Sequence, residues 1–446
     1  MAFARSFVRP TDEPAPMPFP PIARVRQSAD QPEVADVPGT VASAIRESRI
    51  AARVPPGGTI ALTVGSRGIA GIDQIARAAI DALKSLGFRP FIVAAMGSHG
   101  GGTDAGQRAL LAEFGVTEAA IGCPVRSGME TLVLGTNSFG LPIHFDAAAH
   151  GADGIVLLNR IKPHTSFTGR YESGLLKMLT IGLGKREGAA QVHKLGLSGL
   201  KFLLPEVGEF LLKSTPVVLG IALLENAREH TARVVAVEPE DLLDVEPGLL
   251  DEARTLMARL PFEQIDVLLV GELGKNYSGT GLDPNVIGRQ RVETMPDLPR
   301  PVVTRLAVLD LSVETRGNGL GIGLADLTTD RLVAALDPTP MRVNSLTSNF
   351  LTRARVPISL PTDRDVIAAC FDTCWRINPR EARVVVIPNT LELTAIWVTE
   401  PLAAEVEADP SLAFETDFLP WPIDAAGTID QESLFPESVR ARRRTP

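Results

Sequence analysis

Residues 59–95 read TIALTVGSRGIAGIDQIARAAIDALKSLGFRPFIVAA. The apolar runs TIALTV (Thr59–Val64) and PFIVAA (Pro90–Ala95) have strand length and almost no polar interruption, the pattern of strands covered on both faces. Between them Ile72–Leu86 is amphipathic at helical period. Strand, helix, strand in this spacing is a βαβ unit with a right-handed crossover. Further apolar runs continue the pattern: GIVLLN (Gly154–Asn159), PVVLGIALL (Pro216–Leu224) and ARVVAVE (Ala232–Glu238), followed by a helix over Pro239–Leu260. A second cycle opens at IDVLLVGE (Ile265–Glu272). It runs through VVTRLAVLDL (Val302–Leu311), helices near Thr329–Leu336 and Asp363–Cys374, and RVVVIP (Arg383–Pro388).

The fold class expected is α/β: two α/β domains with largely parallel sheets. An extended Pro-rich arm fills 1–40, because Pro10, Pro14, Pro16, Pro18, Pro20 and Pro21 favour a polyproline-like chain. The first domain covers 41–262 and the second 263–400. Residues 401–446 form a C-terminal segment expected to return to the first domain. At 446 residues, two domains are the ordinary outcome.

Composition narrows the function. The net charge of −9 argues against nucleic acid as the main partner. No apolar run approaches the ~20 residues of a membrane span, and the N-terminus has no apolar signal core. Three cysteines (Cys123, Cys370, Cys374) give no disulfide framework, which fits a reducing cytoplasm. Cys370 and Cys374, four residues apart, read as core thiols on one helix face.

Against that acidic background, Arg160–Lys201 carries eight Lys and Arg, two Glu, seven glycines, His164 and His193. A basic, glycine-rich stretch with imidazoles suggests an anionic ligand with chemistry beside it. In open α/β sheets ligands bind where strands end. Five such loops present one sign of charge or an imidazole: Arg67 in GSRG, His99 in GSHGGG, His164 in KPHTSFTG, Lys275 in GKNYSGTG and Arg316 in ETRGNG. Thr103 is placed to cap the helix after His99. Lys177 lies among Leu175, Leu176, Met178 and Leu179. A lysine there either snorkels or serves as a nucleophile or covalent tether. His193 could offer a neutral imidazole to a metal. GLGKREG (Gly182–Gly188) has the look of a phosphate loop without the Walker spacing.

These motifs resemble the nickel-dependent lactate racemases and their 2-hydroxy-acid relatives, over most of the chain and most closely between residues 60 and 195. The resemblance implies two α/β domains with the active site in the cleft between them. It implies His99 and His164 as catalytic acid/base groups, and Lys177 as the covalent anchor of a nickel-pincer nucleotide. It makes His193 a nickel ligand, with Lys177 contributing to the metal site through the tethered cofactor. Ser66, Arg67, Gly169, Ser173 and Gly174 would contact the cofactor, and Arg67 and Lys275 the substrate carboxylate. The cofactor is a pyridinium-3-thioamide-5-thiocarboxylate mononucleotide carrying nickel, and its synthesis enzymes are implied partners. The pattern departs from the racemases at three places. Val64-Gly65-Ser66-Arg67 lacks the aspartate of an Asp-x-Thr-Arg pattern, Gly100 replaces an arginine, and the His164–Lys177 gap is longer.

The chemistry implied is racemisation or epimerisation of a 2-hydroxy acid, a small anionic substrate. Its α C–H is a poor proton acid, so hydride loss with proton loss from the hydroxyl, through a planar 2-oxo acid, is the accessible route. Two histidines on different loops would serve the two hydroxyl orientations. Two alternatives stay open: a non-catalytic relative that binds an anionic nucleotide, and a metal-dependent hydrolase using His99, His164 and His193.

Overall fold

The computed structural model describes residues 19–440 apart from 29–30, 67, 197–198, 294 and 439; the His193 side chain also lies outside the description. Two large sheets organise the chain. The first runs Val125–Arg126, Arg89–Ala94, Thr59–Val64, Gly154–Arg160, Val217–Glu225, Thr231–Val237. It is parallel except for its last, antiparallel pair. Its strands are apolar on both sides because both sides are covered. Ile60, Leu62 and Val64 enter the core beneath the helices Val37–Glu47 and Ile72–Ser85, while Ala61 faces the opposite core. The helix Leu242–Leu256 follows a short 3-10 turn at Pro239–Asp241 and packs on the strand Val217–Glu225.

The second sheet has eight strands, ordered Ile358–Leu360, Leu327–Thr329, Val302–Leu311, Gln264–Leu273, Val384–Ile387, Ala395–Thr399, Ile22–Gln27, Leu412–Phe414. The first five are mutually parallel and the last three pair antiparallel. Alternate residues again divide between two cores: Leu268 and Val270 to one, Val267 and Leu269 to the other. The helix Asp363–Thr373 begins in a capping box formed by Thr362 and Asp365. Its Cys370 and Cys374 are buried in the core, where desolvation raises both thiol pKa values. The expected fold class, two α/β units with largely parallel sheets, is the one observed. Among the described residues no helix is long and apolar enough to cross a membrane.

Both chain ends depart from expectation. Residues 22–27, placed in an extended arm, form a strand of the second sheet, with Ile22 paired to Thr399 and Val25 to Ile396. Prolines 20 and 21 mask the short alternation in IARVRQ, whose Ile22 and Val25 are fully buried. The described part of the C-terminal segment, expected to return to the first domain, is built into the second sheet. Leu412–Phe414 joins the second sheet beside Ile22–Gln27, and Trp421, Ile429, Leu434 and Phe435 complete one of that sheet's cores. The Trp421 indole N–H donates to the Pro20 carbonyl at 2.8 Å, so the two ends fasten each other.

Ile22 is thus predicted to be a core residue. Ile22→Ala should lower unfolding free energy by about 2–5 kcal/mol in denaturant titration; a loss well under 1 kcal/mol would show the strand to be peripheral.

Candidate active site

Three adjacent strands of the first sheet, Thr59–Val64, Arg89–Ala94 and Gly154–Arg160, end at one cleft. Gly65, Ser66, Met96, His99, Asn159, Arg160, Lys162, Ser173, Lys177, Met178, Ile181 and Gly182 are among the residues that line it. The cleft thus gathers four expected residues, Ser66, His99, Ser173 and Lys177, from segments far apart in sequence.

His99 is exposed, at the head of a run in which Gly100, Gly101 and Gly102 all have positive φ (63°, 68° and 62°). Three left-handed residues in succession are accessible only to glycine without strain. Gly100 is further constrained, since a Cβ there would come within 2.7 Å of the Gln107 backbone nitrogen. A side chain at that position would require the loop to shift. The buried Gln107 amide donates to the Gly97 carbonyl at 2.9 Å and the His99 carbonyl at 3.3 Å, bracing the loop from beneath. Thr103 caps the following helix, as its side chain accepts from Gly106 N–H at 3.1 Å. The Ser66 hydroxyl and His99 Nδ1 are hydrogen-bonded. With Nδ1–H donating to Ser66, Nε2 is the basic nitrogen. Val64, at the place of the missing aspartate, turns into the apolar core instead.

Lys177 ends a short helix, Leu175–Lys177, that widens into a single π turn over Met178–Gly182. Such turns occur often at functional sites. Lys177 is half-buried against Met178, Leu175 and Leu176, all buried. The wall lies tight against the His99 strand. Gly97 N–H donates to the Gly182 carbonyl at 3.1 Å, and a Cβ on Gly182 would stand 2.8 Å from the Ala95 carbonyl oxygen. Lys185 is not a phosphate ligand. It is fully buried, pairs with Asp146 at 2.8 Å and donates to the Ala94 carbonyl at 2.6 Å. It therefore ties the Lys177 segment to the strand leading to His99.

Beneath Lys177 lies a carboxyl group that sequence reading missed. Glu246 is fully buried and accepts the Leu176 N–H at 2.9 Å. A Cβ on Gly174 would meet its Oε1 at 2.3 Å, so the expected cofactor residue Gly174 has a packing role. Burial pushes the Glu246 pKa up to about 7.

His164 is not among the residues lining the cleft. Lys162 and Ser173, which are, pair as an isolated antiparallel bridge and pinch off the loop that carries it. Within that loop Glu172 accepts the His164 N–H at 2.6 Å and the Gly169 N–H at 2.9 Å, and pairs with Arg254 at 2.6 Å. The Gly169 amide is thereby engaged inside the loop rather than in the cleft. His164 Nδ1 accepts from Ser166 N–H at 3.1 Å, and the ring lies 4.5 Å from that of Phe167.

Among the described residues the expected convergence of strand-end loops is partial: His99 lines the cleft, while His164, Lys275 and Arg316 do not. Lys275 Nζ donates to the Gly279 carbonyl at 2.7 Å and does not line the cleft. Arg316 is exposed. Long basic side chains after strands fold back onto their own loops when carbonyls are in reach, and sequence spacing does not reveal this. Arg67 and the His193 side chain lie outside the described residues; the His193 backbone belongs to the helix Lys185–Lys194. Of the cleft cations, Arg160 is already paired with Glu225. Asn159, unremarked in the sequence, donates to the Gly174 carbonyl at 2.8 Å and joins the strand end to the Lys177 helix. Arg160 and Lys162 also line a second crevice, faced by Tyr277, Asp283, Val286 and Thr390 of the second domain. Among the described residues no group of three or more His, Cys, Asp or Glu is disposed to hold a metal.

A carboxyl whose folded pKa is raised binds its proton more tightly in the native state. Stability should therefore fall as pH rises from 4.5, the ordinary value, to about 7, by roughly 3 kcal/mol. Glu246→Gln keeps an acceptor for Leu176 N–H and should remove that slope. The stability difference between variant and wild type should grow in favour of the variant across this window and level off above it. A pH-independent difference would contradict the assignment.

No protein-family model matches the chain, and no curated protein matches it. Among solved structures, the chain is similar to the lactate racemase apoprotein from Thermoanaerobacterium thermosaccharolyticum. The TM-score is 0.50 and the identity 10%, over 82% of this chain and 94% of that one. At that identity the likeness is one of fold: this chain has the two-unit α/β architecture of the lactate racemase apoprotein.

Proposed function

We propose that this protein is an isomerase of the lactate racemase type, a racemase or epimerase of a 2-hydroxy acid. The observation that carries the reading is the cleft that brings the Ser66–His99 pair and Lys177 together at the ends of parallel strands. The shared fold supports it independently of these residues.

The cleft fits a lysine-linked nickel-pincer nucleotide. Lys177 offers an amine on a largely apolar wall. Gly65, half-buried, puts no side chain where a flat ring could lie, and Lys162 stands at the cleft for a phosphate or carboxylate. Ser66 and Ser173 supply hydroxyls. His193 is the proposed protein ligand for nickel, and Arg67 the proposed clasp for the substrate carboxylate. When bound, the group supplies a two-electron acceptor that takes the α-hydride and gives it back.

The chain's own work is proton transfer and orientation. His99 Nε2 takes the hydroxyl proton of one enantiomer as the α C–H electron pair leaves, giving a planar 2-oxo acid; once the carbonyl has turned over, its oxygen takes a proton from the other side. Ser66, hydrogen-bonded to Nδ1, orients the ring, and Nε2 is the base when the hydroxyl accepts from Nδ1–H. His164 is the proposed proton carrier for the opposite hand. Gly100 and Val64 leave the rim without two charged side chains of the racemase pattern, so a 2-hydroxy acid other than lactate is the favoured substrate.

Protein co-expressed with cofactor-synthesis enzymes should show a nucleotide-sized mass adduct that disappears in Lys177→Ala. It should also erode the optical purity of at least one member of a 2-hydroxy-acid panel. His99→Ala should keep the adduct and lower interconversion at least about 100-fold. Absence of both adduct and bound nickel from wild type would overturn the reading, and full activity in His99→Ala would overturn its role.

A further inference from the structure

One charged side chain on the second domain reaches into the first. Arg353, in the short turn Leu351–Ala354, has 1% of its surface exposed. Its Nη1 donates to Ser166 Oγ at 2.9 Å and its Nη2 to the Thr165 carbonyl at 3.0 Å, the two residues directly after His164. The same guanidinium donates to the Gln290 carbonyl at 3.0 and 3.2 Å and lies 4.5 Å over the Phe350 ring. All these partners are neutral. A buried guanidinium held by carbonyls and a hydroxyl carries a desolvation cost that an apolar side chain would avoid. Its planar fork holds separate acceptors in a fixed geometry, which an apolar residue cannot do and the single ammonium of a lysine does less rigidly.

The grip completes a two-sided hold on one turn. From the first domain, Glu172 accepts the His164 N–H, with Arg254 behind it. From the second, Arg353 takes the next carbonyl and hydroxyl, and the Asn285 amide donates to the His164 carbonyl at 3.5 Å. Pro163 before the turn and the Lys162–Ser173 bridge fix its entry and exit. The imidazole thus projects from a backbone pinned by both domains.

We propose that Arg353 is a positioning residue: it transmits the docking of the second domain to the turn Pro163–Ser166 and so sets where the His164 imidazole stands. The catalytic consequence rests on the reading of His164 as a proton carrier; the structural one does not. Breaking the grip would leave the Lys177 wall and the Ser66–His99 pair intact, because neither touches Arg353, while His164 loses its fixed orientation.

The test compares wild type with Arg353→Met, Arg353→Lys and Ser166→Ala as full-length proteins. In hydrogen–deuterium exchange, amides of residues 161–169 should exchange at least tenfold faster in Arg353→Met, with the strands at 59–64 and 89–94 unchanged. Arg353→Lys, with charge but no fork, should lie between. In the loaded protein kcat should fall at least tenfold in Arg353→Met with KM within twofold of wild type, and Arg353→Lys should recover part of it. Wild-type exchange at 161–169 in a folded Arg353→Met overturns the proposal, as does a kcat equal to wild type. If Arg353→Met does not fold, Arg353→Lys and Ser166→Ala carry the same comparison, with faster local exchange supporting the grip and unchanged exchange refuting it. The exchange measurement needs no substrate. Wild type that racemises nothing would sink the proposed activity while leaving this result to stand or fall alone.

Discussion

The cleft depends on Lys185. Its ammonium is sealed from water between the Asp146 carboxylate and the Ala94 carbonyl, and this one group joins three pieces of chain. Ala94 ends the strand that delivers His99. Asp146 ends the hairpin strand Pro142–Asp146 and accepts from Ala149 N–H at 2.7 Å. Lys185 itself follows the π turn Met178–Gly182 that comes after Lys177. A charge buried so completely is tolerable only with its partner in place, and removing either partner would leave the other stranded in an apolar interior. The distance between the His99 loop and the Lys177 wall is therefore fixed by an ion pair that touches neither side chain.

Glu246 and Arg353 repeat the same arrangement in different form. Each is a buried ionisable group spent on backbone: Glu246 on the Leu176 N–H, Arg353 on the Thr165 and Gln290 carbonyls. Together with Lys185 they hold the three segments that carry His99, Lys177 and His164. The cost of burying them is the cost of a preorganised site. The glycines around the cleft serve the complementary purpose, letting backbones approach where a Cβ would collide, as at Gly100, Gly174 and Gly182.

Much of this was legible in the sequence, for a physical reason. Strands covered on both faces must be apolar throughout, so Thr59–Val64, Gly154–Arg160 and Gln264–Leu273 announce themselves, and the polar residues just past their ends stand out. Lys177 was visible as a cation in an apolar stretch. The remainder depends on partners distant in the chain. IARVRQ becomes a strand only because residues 395–399 and 412–414 flank it. Glu246 reads as a surface acid on an amphipathic helix until Gly174 is set against it. Arg353 sits in a turn with no motif, and its acceptors lie 187 and 188 residues away. The expectation for Lys275 failed for the converse reason: a local carbonyl outcompeted the distant cleft.

The proposed reaction inverts the α-carbon of a 2-hydroxy acid by hydride transfer, with histidines moving only the hydroxyl proton. The most direct measurement is racemisation of a substrate enantiomer in deuterium oxide by the cofactor-loaded protein, with the product's α position read by mass spectrometry. The inverted product should keep its original α-hydrogen, because the hydride leaves and returns without meeting solvent. Inversion accompanied by one deuterium per turnover at the α-carbon would mean proton abstraction and contradict the account.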